Sequence, residues 1–244
     1  MQGLVIVTGG SRGIGAAICR KLAQDGYRVA VNYATRPEAA AAVVQEITAA
    51  GGEARAFQGD VAREHDVEAL FAAAQDSFGP VVGLVNNAGI IGGTSRVDDL
   101  TLEALQRTLA VNVVGTILAA RAAIRIMSSR HGGVGGSIVN LSSVAAQLGS
   151  PGEYVHYAAS KGAIDSFTVG LGREVADEGI RVNAVAPGLI DTEMNPGERQ
   201  ARLAPNIPIK RVGLAAEVAE AVAWLISPAA SYVTGTTLTV SGGR

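Results

Sequence analysis

The apolar run at residues 4–8 (Leu-Val-Ile-Val-Thr) stops at glycines. From Ile14 the spacing changes, with Ile18 and Leu22 on one helical face until Gly26 closes it. This predicts strand, glycine-rich turn, helix. The alternation then recurs, with strands predicted at 28–33, 54–58 and 81–86. Helices are predicted at 37–50 and 64–78, the second carrying Val67, Leu70, Phe71 and Phe78. Repeated βα units imply a parallel sheet with helices on both faces. Further along, the pattern predicts a long helix over 102–127, a strand over 137–141, a helix over 154–178 and strands over 181–186 and 237–240. The sheet then has about seven strands, a common size. Between 187 and 211 the periodicity fails, and Pro196, Gly197, Pro205 and Pro208 mark a long irregular segment. Loops of that length are more often functional than mere connectors.

Composition narrows the class. The 244 residues carry 20 Lys+Arg against 22 Asp+Glu, a net charge of -2, so no strong attraction to nucleic acid or an anionic membrane is expected. With 48% hydrophobic residues, 4% aromatics and 31 glycines, the chain suits one closely packed α/β domain with Gly-rich turns. Mean hydropathy is +0.27, but the most apolar stretch, 111–123, is interrupted by Asn112, Gly115, Thr116 and Arg121. It falls short of the roughly 20 apolar residues a bilayer span needs. The start at Met1 lacks the basic segment and cleavage site of a signal peptide, which points to the cytoplasm. Cys19 is alone and reads as a small core residue, and His65, His131 and His156 lack metal-ligand spacing, so no metal site is assigned.

Two local patterns carry chemistry. Thr8-Gly-Gly-Ser-Arg-Gly-Ile-Gly15 lies between the first strand and helix, with Gly9, Gly13 and Gly15 placed for close backbone approach to a pyrophosphate at a helix N-terminus. A tight strand-to-helix turn would use the same glycines. Tyr157 and Lys161, four apart on a helix, share a face. A lysine there stabilises a phenolate, and lowering a tyrosine from about 10 to roughly 7 takes about 4 kcal/mol. The same spacing also suits a tyrosine packed beneath a lysine stem. His156 faces another way and reads as a pocket-edge residue.

These two patterns, together with Asn86-Asn-Ala-Gly89, resemble the short-chain dehydrogenase/reductase family. Asp60, Asn112, Ser143, Asn183 and Pro187-Gly188 also fit, so the likeness runs from residue 4 to 243. The chain looks closest to the 3-oxoacyl-(acyl-carrier-protein) reductase and glucose dehydrogenase-like branches. The resemblance implies a single-domain Rossmann-type fold, a doubly wound parallel sheet with a substrate loop at about 188–211. It also implies a nicotinamide dinucleotide cofactor held by the turn residues Gly9, Ser11, Arg12, Gly13, Ile14 and Gly15, with Asn87, Ala88 and Gly89. Pro187, Gly188, Ile190 and Thr192 would hold the nicotinamide end, beside Tyr157 and Lys161. Asp60 and Val61 resemble an adenine-contacting pair, although Asp60 equally fits a helix N-cap.

Cofactor choice follows from charge. An acid at the end of the second strand would bind the ribose 2'-OH of NAD and repel the 2'-phosphate of NADP. That strand ends Val31-Asn32-Tyr33, followed by Thr35 and Arg36. Arg12 and Arg36 would supply cationic donors, each contact worth roughly 1.5–3 kcal/mol, which favours NADP(H). The alternative leaves both as solvated surface arginines.

By the same resemblance Tyr157 is the general acid/base, Lys161 tunes it and Ser143 orients the substrate oxygen, with Ser142 the competing choice. Asn112 would bend the long helix and hold a water that links Lys161 to solvent, or else be a satisfied buried amide. Ser241 stands where the family usually has an acid. Family members are commonly tetramers joined through the helices at 102–127 and 154–178, and Ala158, Gly162, Ala163, Gly170 and Gly172 suit close helix packing. The substrate is expected to be a small ketone or secondary alcohol. A carrier-protein-linked one would favour a basic entrance, for which Arg125, Arg130, Arg199, Arg202, Lys210 and Arg211 are candidates. The rival reading is a dinucleotide-binding protein without turnover.

Overall fold

A computed structural model of the chain describes residues 2–195 and 197–244; Met1 and Pro196, both used above, lie outside the described residues. The first half runs β1 (Leu4–Val7), α1 (Gly13–Gln24), β2 (Arg28–Tyr33), α2 (Pro37–Ala49), β3 (Glu53–Gln58), α3 (Glu64–Phe78) and β4 (Val81–Asn86). The second half contains α4 (Leu102–Leu109), α5 (Gly115–Met127), β5 (Gly136–Leu141), α6 (Ala145–Leu148), α7 (Val155–Glu174) and β6 (Ile180–Pro187). Then come β7 (Ile190–Asp191), α8 (Gly197–Leu203), β8 (Gly213–Leu214), α9 (Ala215–Ile226) and β9 (Thr237–Val240). Seven strands form one parallel sheet in the order β3-β2-β1-β4-β5-β6-β9, the Rossmann-like doubly wound arrangement the sequence implies.

The four residues of β1 show why the sheet is apolar on both faces. Side chains alternate across a strand. Val5 and Val7 join the layer of α1 and α9, where Ile18, Leu22, Val218 and Val222 are buried. Leu4 and Ile6 join the opposite layer with Val67, Leu70 and Phe71 of α3 and Ala119, Ala120 and Ala123 of α5. By length and composition the stretch Leu102–Met127 is also apolar enough to cross a bilayer. Here its small buried residues pack on the sheet.

Four features depart from the sequence reading. Helix α9 falls in a region given no helix there, yet it covers one face of the sheet. The helix at 102–127 is continuous in direction, but residues Ala110–Val114 form a π-helical turn in which the Gly115 amide reaches back five residues to Ala110. The helix expected at 154–178 ends at Glu174 and continues as a 3-10 turn, Ala176–Glu178. The irregular segment contains α8, and β7 pairs with β8 to tie its two ends together. On α7, Ala158 is buried, and a Cβ on Gly172 would meet the Gly235 backbone at 2.8 Å, so these two small residues serve packing within the chain.

Candidate active site

The strand order reverses between β1 and β4, and in open α/β sheets the crevice at such a point, beyond the carboxyl ends of the strands, is where ligands bind. A cleft of about 810 Å³ opens there. Its floor is the turn between β1 and α1. Gly9 and Gly13 have φ of +62° and +51°, the left-handed region that favours glycine, and a Cβ on Gly15 would stand 2.2 Å from the Gly9 oxygen. Bare backbone therefore faces the cleft at the start of α1, the cradle a pyrophosphate needs.

Polar side chains lock this cradle. The Thr8 hydroxyl accepts from the Asn87 and Ala88 amides at 3.1 Å each, and the Asn87 amide group donates to Thr8 and Gly9 oxygens at 3.0 and 2.9 Å. Buried Asn32 accepts from the Gly9 amide at 3.2 Å and donates to the Gly59 carbonyl at 3.0 Å, joining the first three strand ends. Ser11, Arg12, Ile14, Thr35, Arg36, Asp60, Val61, Ala88 and Gly89 all line the cleft, and so do Pro187, Gly188, Ile190 and Thr192 on the far side. Tyr33 does not: alternation along β2 turns it into the layer of α1, where it packs against the core. Asp60 is not a helix N-cap either; it accepts from the Ala62 amide at 3.0 Å and pairs with Arg107 at 2.9 Å, while Arg63 precedes α3.

The polar wall of the far end is Ser143, Tyr157 and Lys161. Tyr157 is half-buried, and desolvation of its hydroxyl pushes the phenol up to about 12, opposed by a hydrogen bond with the Ser143 side chain. Lys161 is buried on the same face of α7; burial brings its ammonium down to about 8, with Asp165 opposing. Its Nζ donates to the Leu141 carbonyl at 2.6 Å and lies 5.7 Å from the Tyr157 ring centroid. The two serines differ in direction: the Ser142 hydroxyl is buried and donates to the Lys161 carbonyl at 3.4 Å, whereas Ser143 lines the cleft with its side chain toward Tyr157.

Asn112 is fully buried and does not line the cleft. Its amide accepts from the Ile90 amide at 2.8 Å and donates to the Ile90 carbonyl at 2.9 Å and to Ser160 Oγ at 3.0 Å. Ser160 in turn donates to the Tyr157 carbonyl at 2.7 Å. Asn112 thus ties the tyrosine's own turn of α7 to the irregular segment that continues from Asn86-Asn-Ala-Gly89. His156 is buried rather than at the pocket edge, with Nε2 2.9 Å from the Ile91 carbonyl. Cys19 is core, its thiol raised by burial.

The segment above the site carries groups the sequence reading did not single out. Glu193 Oε2 lies 2.9 Å from Arg12 and 3.1 Å from Arg36. Glu153 pairs with Arg199 at 2.7 Å and Arg202 at 3.3 Å, and hydrogen bonding from Arg199 holds its carboxyl below the usual range. Arg199 also bonds the Tyr154 hydroxyl, and the Tyr154 ring stands edge-on to Tyr157 at 5.7 Å. Arg211 pairs with Glu217 at 2.6 Å. Three of the six candidate entrance cations are therefore compensated by acids. The Glu193 and Glu153 pairs join residues at least 46 apart in the chain, whereas Arg211 and Glu217 are six apart.

Known proteins match over the whole chain. A family model described as Enoyl-(Acyl carrier protein) reductase covers residues 9–244. "Uncharacterized oxidoreductase YgfF" of Escherichia coli is 52% identical over 99% of this chain and 99% of its own length. "Glucose 1-dehydrogenase 2" of Bacillus subtilis is 42% identical, covering 98% and 93%. "3-oxoacyl-[acyl-carrier-protein] reductase" of Synechocystis is 41% identical, covering 98% and 96%. Among solved structures, a short-chain dehydrogenase/reductase from Serratia marcescens superposes with a TM-score of 0.93 at 38% identity, covering 100% and 98%. A short-chain dehydrogenase from Burkholderia cenocepacia in complex with NADP gives 0.92 at 40%, covering 99% and 97%. With a fold, a motif set and an identity that agree over the full span, the chain belongs to the short-chain dehydrogenase/reductase family of oxidoreductases.

Proposed function

We propose that this oxidoreductase uses NADP(H) and interconverts a ketone and a secondary alcohol. The observation that carries the reading is that Ser143, Tyr157 and a buried lysine line the same end of a cleft floored by a glycine cradle, with Lys161 Nζ 5.7 Å from the Tyr157 ring centroid. A bound nicotinamide supplies or accepts the hydride. Everything else falls to the chain. Ser143 holds the substrate oxygen, and Tyr157, kept protonated by burial, donates its proton to that oxygen in reduction. In oxidation it must lose the proton, and the Lys161 charge favours that. Arg12 and Arg36, on two neighbouring turns of the cleft wall, support the NADP preference, as does the Burkholderia relative's complex.

The substrate class rests on the pocket beneath α8. The named relatives act on substrates as different as glucose and carrier-protein thioesters, and no pocket residue selects between them. The acid-compensated arginines give the carrier-protein reading no electrostatic advantage.

Tyr157→Phe tests the mechanism. It should bind NADP(H) as the wild type does and lose at least a thousandfold in turnover of a 3-oxoacyl thioester or small ketone, on the scale of a positioned general acid. Comparable turnover in the variant would sink the proposal. Cofactor binding with no turnover by the wild-type protein on a broad carbonyl panel would favour the non-catalytic reading.

A further inference from the structure

We infer that Glu193 is a cofactor-specificity residue that competes with the 2'-phosphate of NADP(H) for Arg12 and Arg36. The inference rests on the NADP reading above and adds a residue that opposes it. One carboxylate oxygen sits 2.9 Å from the Arg12 guanidinium and 3.1 Å from that of Arg36. The two arginines come from different turns, one before α1 and one after β2, and converge on a single anion. A phosphoryl group recognised by the same pair would meet that carboxylate at Nη1 of both guanidinium groups, so two anions of like charge compete for one pair of cations.

Exposure makes the exchange feasible. The three side chains are half-exposed or more, at 52% for Arg12, 50% for Arg36 and 63% for Glu193, and all three line the cleft. An ion pair that open to water contributes little, whereas a phosphate dianion with charge-assisted bonds to two guanidinium groups gains more. The carboxylate is also tethered. Glu193 follows Thr192, whose Cγ2 lies 3.4 Å from where a Cβ on Gly13 would sit, so the segment is packed against the glycine turn. Displacing the carboxylate is then a side-chain movement, and Glu193 remains close enough to oppose the phosphate. NAD(H) has no 2'-phosphate and leaves the pair intact. Glu193 therefore lowers the preference for NADP(H) that the two arginines would otherwise impose.

The test is equilibrium binding by calorimetry of 2',5'-ADP and 5'-AMP to the wild type and to Glu193→Gln, with Glu193→Ala as a second variant and no turnover required. Both variants should bind 2',5'-ADP about three- to tenfold more tightly, about 0.7–1.4 kcal/mol at ~1.4 kcal/mol per decade, with 5'-AMP unchanged. Unchanged or weaker binding of 2',5'-ADP, or equal tightening of both ligands, overturns the inference. If the wild type already prefers 2',5'-ADP and the variants do not increase that preference, only the role of Glu193 fails. If neither wild type nor variants distinguish the ligands, the NADP reading fails with it. A preference that emerges only in the variants supports Glu193 as the residue masking it.

Discussion

Replacing Lys161 with methionine removes a charge while keeping an unbranched stem, and the structure sets the size of the effect. Taking the ring centroid, 5.7 Å from Nζ, as the centre of a Tyr157 phenolate, the attraction is about 3 kcal/mol at an effective dielectric of ~20. That equals about two pKa units. Burial starts the phenol at about 12, so reaching ~7 takes roughly 7 kcal/mol, of which Lys161 supplies less than half. The Ser143 hydrogen bond is already contained in that starting value, so the oxidised cofactor's charge must provide the rest. The assay is the pH dependence of kcat/KM for alcohol oxidation. In Lys161→Met the acid-side limb should move up by about two units, with oxidation near pH 7 slowed about a hundredfold. A limb at the wild-type pH with only a lower plateau would refute the electrostatic role. Weaker NADP binding alongside it would assign Lys161 to holding the cofactor.

Two further outcomes follow from the same geometry. Gly15→Ala places a Cβ 2.2 Å from the Gly9 oxygen and 2.5 Å from Asn87 Nδ2; urea denaturation should show a loss of about 1–3 kcal/mol, and fluorescence titration a loss of NADP(H) binding. Unchanged affinity would mean the cradle is not the dinucleotide site. In the linkage of stability to pH, Lys161 is depressed from 10.5 to about 8, so between those values the unfolded chain binds more protons and wild-type stability rises with pH. Tyr157, raised from 10.0 to about 12, acts oppositely above pH 10. The stability difference between wild type and Lys161→Met should therefore change in the wild type's favour by up to about 3 kcal/mol from pH 8 to 10.5. A constant difference across that range counts against a buried, destabilised ammonium.

How much of this was legible depended on whether a residue's task is local. The boundaries of β2, α3, β4 and β9 could be read directly, because buried parallel strands and amphipathic helices announce themselves through their own spacing. Helix α9 carries that signal too: Val218, Val222 and Ile226 recur every four residues and Glu217 accepts from the Leu214 amide at 2.8 Å. Its start is obscured in the sequence by the irregular stretch that runs directly into it. Helix α8 is different. Its Gly-Glu-Arg-Gln-Ala-Arg-Leu buries nothing fully, and Arg199 and Arg202 connect it to Glu153 some 46 and 49 residues away, so its own spacing carries no signal.

The site divides along the same line. Gly9, Gly13, Gly15, Tyr157 and Lys161 are legible because backbone approach and a shared helix face are properties of short segments. Ser142 and Ser143 are told apart by what each hydroxyl faces, the backbone carbonyl of Lys161 for Ser142 and the Tyr157 side chain for Ser143, and that is set by packing. Arg12 and Arg36 are legible as cations beside the glycine turn and the end of the second strand, but their partner is not, since Glu193 lies 181 and 157 residues away in the chain. Motifs thus locate the chemistry, Asn112 included, while the contacts around it, Glu193 beside the arginines and the Ser160 link from Asn112 to the tyrosine's turn, become visible only once the sheet has brought distant turns together.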